Sequence, residues 1–257
     1  MWWQKSRETK FDQEVQHYIT KHTDFTFINL LGYGSYGRTY LIEEASSDTQ
    51  YVLKCLRPKH LRNKKTRHKF MQEIQMLEQL ALPFIPSIKM TGSIQNTPFF
   101  VMDYLDGQTF EQLIFQDGKV FTTSEALTIV EQLLAHIIAL HNKGIVHRDL
   151  RIPNILLVEG KLHIIDFGLA TYMKVVDFAS IRNPKRAKNH ISDLYFVGHF
   201  LLFLLYSTYK PTSRKEKSWQ KELSLPADVT CYLEQLLCIN EPFQSATEAL
   251  QALPIKK

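Results

Sequence analysis

His147-Arg-Asp-Leu-Arg-Ile-Pro-Asn154, followed by Asp166-Phe-Gly168, concentrates more chemistry than any other part of this 257-residue chain. Between the two lie the apolar runs Ile155-Leu-Leu-Val and Lys161-Leu-His-Ile-Ile, joined at Glu159-Gly160, a turn signal that makes them a hairpin. Polar groups are therefore presented at both ends of a short apolar unit. Asp149 can orient a hydroxyl, Asn154 can bind a metal, and Asp166 supplies a second metal-binding oxygen. Together they meet the electrostatic requirements of phosphoryl transfer, in which a protein positions its reactants and neutralises charge.

Upstream, Gly32-Tyr-Gly-Ser-Tyr-Gly37 lies between a β-rich run from Phe25 and a second strand over Arg38 to Glu43. That setting is a hairpin whose amides can approach phosphate, and it differs from the strand-to-helix turn of a dinucleotide site. Taken alone it reads equally well as an irregular turn. Lys54 lies in Tyr51-Val-Leu-Lys, a third strand over 50–56, within reach of α and β phosphates. The basic stretch Arg57 to Lys69 precedes a helix from Phe70 with apolar positions 70, 74, 77 and 80 on one face. Glu73 sits on that helix and can pair with Lys54. Strand candidates at 88–94 and 98–104 complete a five-stranded sheet, preceded by a helical pattern over Thr9 to His22.

Beyond Leu105 the pattern turns helical: 109–114, then 124–142 with Ser124 as expected N-cap, then 193–209, 228–239 and 245–253. The expected organisation is an N-terminal extension over 1–24, a sheet-rich lobe over 25–104 and a mainly helical lobe over 105–257. The fold class is α+β.

Composition excludes other classes. Hydrophobic residues at 44% and charged residues at 22% exclude a disordered chain and a fibre. A net charge of +5 favours anionic partners without selecting one. Cys55, Cys231 and Cys238 include no CxxC pair, which argues against a disulfide framework or a thiolate zinc site and for a reducing compartment. No secretory leader is visible at the start, and the cytoplasm is the expected location. The apolar run Tyr195 to Tyr209 is shorter than the roughly 20 residues that cross hydrocarbon, so a buried helix is expected and no transmembrane segment. The basic run His60 to Lys69 lacks a nucleic-acid-binding pattern and reads as a solvated loop and helix start; no specific nucleic-acid recognition is expected. Cys231, Cys238, Met71 and Met76 are expected in the core, and the histidines lack metal-ligand spacing.

The ordered set of glycine-rich loop, Val-Leu-Lys54, Glu73, His147-Arg-Asp149 with Asn154, and Asp166-Phe-Gly168 resembles the eukaryotic-type (Hanks-type) serine/threonine protein kinase superfamily over about residues 25 to 253. The resemblance implies a two-lobed fold, with a five-stranded antiparallel sheet plus helix in the first lobe, and an ATP-dependent transfer to serine or threonine hydroxyls. It implies that Asp149 orients or deprotonates the acceptor, that Lys54 binds phosphates under the hold of Glu73, and that Asn154 and Asp166 hold Mg2+, with Mn2+ as a second suitable metal. Gly32, Gly34, Gly37, Thr39, Val52, Met102, Asp103, Leu105 and Leu156 fall at nucleotide positions, Met102 as gatekeeper. Arg151 stands where many serine/threonine kinases carry Lys and some tyrosine kinases carry Arg; its guanidinium would contact the γ-phosphate or the acceptor.

Departures from the pattern are specific. Thr39 replaces an apolar residue and Val52 a small one, which remodels the adenine roof. The segment after Asp166 is short and no Ala-Pro-Glu follows. The arginine that pairs with that glutamate is also missing from Asn240-Glu-Pro-Phe-Gln-Ser-Ala. Asp193 matches the buried aspartate that ties the catalytic loop, and Arg148 would clamp a phosphate on Ser180 or Thr171 or else be held by local backbone. The reading is a compact, divergent kinase acting on a protein or peptide, constitutively active. A kinase for small-molecule hydroxyls and a nucleotide-binding pseudokinase or scaffold stand as alternatives.

Overall fold

The computed structural model describes residues 2–34, 36–175, 181–211 and 217–254, with side chains from residue 8 onward. The chain forms two compact units, Met1–Asp106 and Gly107–Lys257.

The first unit opens with α1 (Trp2–His22), followed by β1 (Phe25–Tyr33), β2 (Gly37–Glu44) and β3 (Gln50–Leu56), then α2 (Lys64–Leu80), β4 (Ile88–Ile94) and β5 (Thr97–Asp103). The strands form one antiparallel sheet in the order β1-β2-β3-β5-β4. Because successive strand residues point to opposite faces, the sheet sorts its own side chains. Tyr40, Ile42, Leu53, Cys55, Phe99 and Val101 join one core with Phe11, Val15 and Ile19 of α1. Those three α1 residues recur every fourth position, so they share one helical stripe, and burying each is worth about 1.5–3 kcal/mol before side-chain ordering is charged against it. An Asp at Val15, wholly buried, would detach the helix. Alternate residues Lys54 and Phe100 belong to the other face, where Phe70 of α2 meets Phe100 with ring centroids 5.5 Å apart.

Helix α2 begins at Lys64, six residues before its apolar stripe, because Asn63 caps it by accepting the Thr66 amide at 3.1 Å. Met76 is buried in the core as expected, but Met71 is exposed on the outer face of the same helix. Both face assignments follow from the helical period.

The second unit contains β6 (Gln108–Thr109), α3 (Phe110–Phe115), α4 (Thr123–Asn142), β7 (Ile145–Val146), β8 (Ile155–Val158), β9 (Lys161–Ile164) and β10 (Thr171–Tyr172). It continues with α5 (His190–Tyr206), α6 (Trp219–Glu222), α7 (Ala227–Leu236) and α8 (Ala246–Gln251). Its strands are short: β6-β8-β9 form one ribbon and β7-β10 another. Thr122, not Ser124, caps α4, in a reciprocal box in which Thr122 and Glu125 each bond the other's amide. The helix ends at Gly144, whose φ of +70° suits the left-handed turn that stops a helix.

Helix α4 is long and apolar enough to cross a membrane by length and composition alone. Its apolar face, from Ala126 to Leu140, is however buried within the helical unit. Helix α5 starts at His190, three residues earlier than its sequence pattern, capped by Asn189, and buries residues on every side. It is the central helix of this unit, and its burial explains the uninterrupted apolar run. The two late cysteines correct an expectation: Cys231 is exposed and Cys238 only half-buried, because the apolar face of α7 is taken by Val229, Tyr232, Leu233 and Leu236.

Candidate active site

The catalytic loop hangs from α5. Asp193 is fully buried there and accepts the amides of His147 at 3.0 Å and Arg148 at 2.7 Å, and a hydrogen bond from His141 Nε2 at 2.9 Å. Burial pushes its carboxyl up, but the His141 hydrogen bond and charge, with the Arg148 amide, outweigh that and hold it below the usual carboxylate range. The two amides that Asp193 receives belong to adjacent residues, so the chain turns sharply here and Arg148 takes φ +65°. An L-residue is strained in that region. The buried carboxylate over-determines the turn and thereby aims Asp149.

His147 is buried and its basicity is lowered by desolvation. It bonds the Ile165 carbonyl through Nε2 at 3.2 Å and accepts the Asp149 amide at Nδ1 at 3.3 Å, which fixes the neutral tautomer with its proton on Nε2. Its ring stands edge-on to Phe167, centroids 4.7 Å apart. His147 is thus a strut between the catalytic loop and the Asp166 turn.

Asp149 is 7% exposed. Asn154 Nδ2 donates to its carbonyl at 2.8 Å and to its Oδ2 at 2.9 Å. Arg151 forks onto both carboxylate oxygens, Nε to Oδ1 at 2.5 Å and Nη2 to Oδ2 at 2.8 Å. The hydrogen bond to Asp149 raises the already high pKa of Arg151. This two-point grip is peculiar to a planar guanidinium; a lysine ammonium would touch the carboxylate as a point charge. Asp166 sits at φ +61° and caps the turn over Phe167–Leu169, its Oδ1 accepting the Gly168 amide at 3.3 Å. Leu156 is buried on β8, opposite Thr109 and His163.

Arg148 answers the question of its own partner. Nε, Nη1 and Nη2 each donate to a backbone carbonyl, those of Ala187, Leu169 and Arg186, at 3.0–3.2 Å. Thr171 is paired with Val146 in the β7-β10 ribbon, and Ser180 lies outside the described residues.

In the first unit, Lys54 Nζ meets Glu73 Oε1 at 2.7 Å, with both side chains buried. Tyr36, from the glycine-rich loop, donates its hydroxyl to Glu73 Oε2 at 3.3 Å and lies with its ring 5.6 Å from Lys54 Nζ. Gly37 packs closely on the lysine: a Cβ there would stand 3.0 Å from Lys54 Cε and push its side chain aside. Thr39 pairs with Lys54 across β2-β3 and with Gly32 across β1-β2, donating its hydroxyl to the Gly32 carbonyl at 3.2 Å. That hydroxyl gives a physical use to one departure found in the sequence. Val52 stands in register between Leu41 and Met102. The Asp103 amide donates to Ser87 at 3.0 Å, and Leu105, half-buried, follows two residues later.

The structure therefore groups Gly32, Gly34, Gly37, Thr39, Val52, Lys54, Glu73, Met102, Asp103 and Leu105 in the first unit, and Asp149, Arg151, Asn154, Leu156 and Asp166 in the second. Sequence reading overlooked Tyr36, whose only signal is an aromatic inside a glycine loop. It also overlooked His141 and His190. Buried His190 bonds the Phe243 carbonyl through Nε2 at 3.2 Å. This neutral bond ties the start of α5 to the very 240–246 segment where the arginine was missing.

A family model described as the protein kinase domain matches residues 25–195. The chain belongs to this protein kinase family. A relative named probable serine/threonine-protein kinase YbdM, from Bacillus subtilis, is 36% identical over 234 residues, covering 91% of this chain and 90% of the relative. Serine/threonine-protein kinase PrkC of the same organism is 29% identical over 195 residues, 70% of this chain but only 30% of PrkC. Among solved structures, the kinase domain of Mycobacterium tuberculosis PknI shares the fold, with a TM-score of 0.67 at 22% identity, over 90% of this chain and 94% of that one. Kinase-domain homology supports ATP-dependent serine/threonine phosphotransferase activity, and family membership implies use of ATP and Mg2+ in general terms.

Proposed function

We propose that the chain transfers the γ-phosphate of Mg-ATP to serine or threonine hydroxyls of a protein, with Asp149 receiving the acceptor hydroxyl. The observation that carries this reading is the Lys54–Glu73 pair at 2.7 Å. Burying two charges costs several kcal/mol that their mutual attraction has to offset, and an ammonium fixed beside a carboxylate stands where phosphate oxygens can share it.

The donor set fits the metal. Asn154 turns its amide nitrogen towards Asp149, which leaves its amide oxygen for a cation, and Asp166 adds a carboxylate. Two hard oxygen donors of this kind suit Mg2+, which takes the rest of its shell from phosphates and water. When bound, the metal neutralises charge on the phosphates. Lys54 would hold the α and β phosphates, and the loop glycines would let backbone approach them. Thr39, Val52, Met102 and backbone at Asp103 and Leu105 would line the adenine position within the first unit. Because the Asp103 amide is committed to Ser87, this residue would contribute through another group.

Arg151 stands beside the acceptor position. Its fork meets both oxygens of Asp149, yet Oδ1 keeps a second lone pair, so an acceptor hydroxyl could join Arg151 on the same carboxylate, and a guanidinium drawn off the fork would then meet the γ-phosphate. The three carbonyls on Arg148 support activity without phosphate on the activation segment. Free thiols at Cys55, Cys231 and Cys238 support a reducing cytoplasmic setting.

The test is transfer of labelled phosphate from Mg-ATP, with wild type and Asp149→Asn supplied in parallel with mixed peptides, generic proteins and small metabolites. Label on serine or threonine that falls at least ~100-fold in the variant is expected, the usual scale for losing a general base. Label on a metabolite alone would replace the protein acceptor. Nucleotide binding with no Asp149-dependent transfer would replace catalysis with a scaffold role.

A further inference from the structure

Helix α1 does more than cover a sheet. Its polar edge carries Glu8 and Asp12, and both reach the strands that bear the glycine-rich loop. Glu8 bonds Arg57 through Oε1 and pairs with Arg38 Nη1 through Oε2 at 3.2 Å. Asp12 accepts from Arg38 Nη2 at 2.5 Å and from the Tyr40 hydroxyl at 2.8 Å. Arg57 then turns to the loop itself: Nη1 donates to the Gly34 carbonyl at 3.1 Å, and its own amide donates to the Tyr36 carbonyl at 2.7 Å. Both guanidinium groups stand over the Tyr33 ring, at 5.3 Å for Arg38 and 5.9 Å for Arg57. Residues 33, 34 and 36 are thus each fastened by an arginine whose charge is balanced from α1.

We infer that Glu8 and Arg57 are positioning residues for nucleotide: through the chain Glu8–Arg57–Gly34, α1 holds the glycine-rich loop in the shape that receives phosphate. The inference rests on the proposed nucleotide site. Hydrogen bonding to Arg57 holds the Glu8 carboxyl below its ordinary range, so it is ionised and bonded at neutral pH. Only Arg57 of this set reaches the loop backbone from outside the loop's own strands. Without the Glu8 charge its guanidinium keeps the Gly34 bond but loses the group that orients it.

The experiment compares wild type, Glu8→Ala, Arg57→Ala and the double variant, with Gln13→Ala as a control on the exposed side of α1. Hydrogen exchange over 32–38 reads the loop, and binding of Mg-ADP and of a non-hydrolysable ATP analogue reads the consequence. Expected are faster loop exchange in Glu8→Ala and Arg57→Ala, about tenfold weaker nucleotide binding, the factor for one charge-assisted hydrogen bond, and a double variant no worse than Arg57→Ala. Glu8→Asp should recover part of the loss, and KM for ATP should rise more than kcat falls. Unchanged loop exchange in Glu8→Ala would overturn the inference, as would additive losses in the double variant or faster exchange confined to α1. The exchange and binding readouts need no turnover. A wild type that binds nucleotide without transferring phosphate would defeat the proposed reaction while leaving the tether standing on its own result.

Discussion

The catalytic loop and the glycine-rich loop are fastened by opposite means. Beneath the first lies one carboxylate, Asp193, with no exposure to water, receiving two backbone amides and an imidazole. Above the second, arginines do the fastening, and the carboxylates that steady them, Glu8 and Asp12, keep 27% and 28% of their side-chain surface in solvent. A buried anchor fixes a strained turn permanently because its loss leaves orphaned amides. A half-exposed anchor is weaker and responds to salt, pH and substitution. The loop proposed to position the acceptor is thus held rigidly, whereas the loop proposed to receive nucleotide is held adjustably.

Four experiments bear on that distinction, and the largest effect belongs to Asp193. Asp193→Ala should cost about 3–5 kcal/mol by denaturant unfolding, the scale for removing one partner from a buried charged network. A loss below about 1 kcal/mol would show that the catalytic loop is no better anchored than the glycine loop. Arg148→Ala comes next, with about 2–3 kcal/mol expected for stranding three carbonyls, discounted for the partial exposure of the guanidinium. Activity that survives dephosphorylation in wild type and falls in this variant would place the clamp in the backbone carbonyls.

Asp12→Ala should cost about 1–2 kcal/mol, since Arg38 retains Glu8 and the Tyr33 ring. Its effect should shrink in 1 M salt while that of Asp193→Ala does not. Equal salt dependence in the two variants would break the comparison.

The mildest effect is on pH. Burial lowers the pKa of His136, His147, His163, His190 and His199 below the ordinary histidine value. The unfolded chain therefore takes up protons near pH 6.5 that the folded chain refuses. Stability from this source is whole above about pH 6.5 and is lost as pH falls through the lowered folded values. The unfolding midpoint should decline from pH 7 to 5, and His190→Gln should flatten that decline. An unchanged slope would mean that His190 is already protonated against Phe243.

The elements came through in the sequence because their signals are strong: β-branched and aromatic runs in β1, β3 and β5, and apolar positions three or four residues apart in α1, α2 and α4. The chemical residues were legible as types at fixed spacing, and the structure shows Lys54 on Glu73 and Asn154 on Asp149. Partners that depend on long-range approach were not legible. Glu8 and Arg57 are 49 residues apart, and His190 and Phe243 are 53 apart. No local pattern marks either pair. Cys231 and Met71 were misplaced for a related reason, since an apolar residue type does not reveal which part of a helical face the neighbouring elements leave uncovered. Helix starts were displaced because Asn63, Thr122 and Asn189 act through one side chain each, outside the periodic run.

Arg148 carries a consequence for how such a molecule is controlled in time. A clamp made of the Leu169, Arg186 and Ala187 carbonyls is built of peptide bonds, so no phosphatase can erase it and no upstream enzyme is needed to write it. It is renewed with every chain that folds. On the proposed phosphate-independent reading, output would follow how much of the protein is made and how long it lasts, together with what reaches the nucleotide loop.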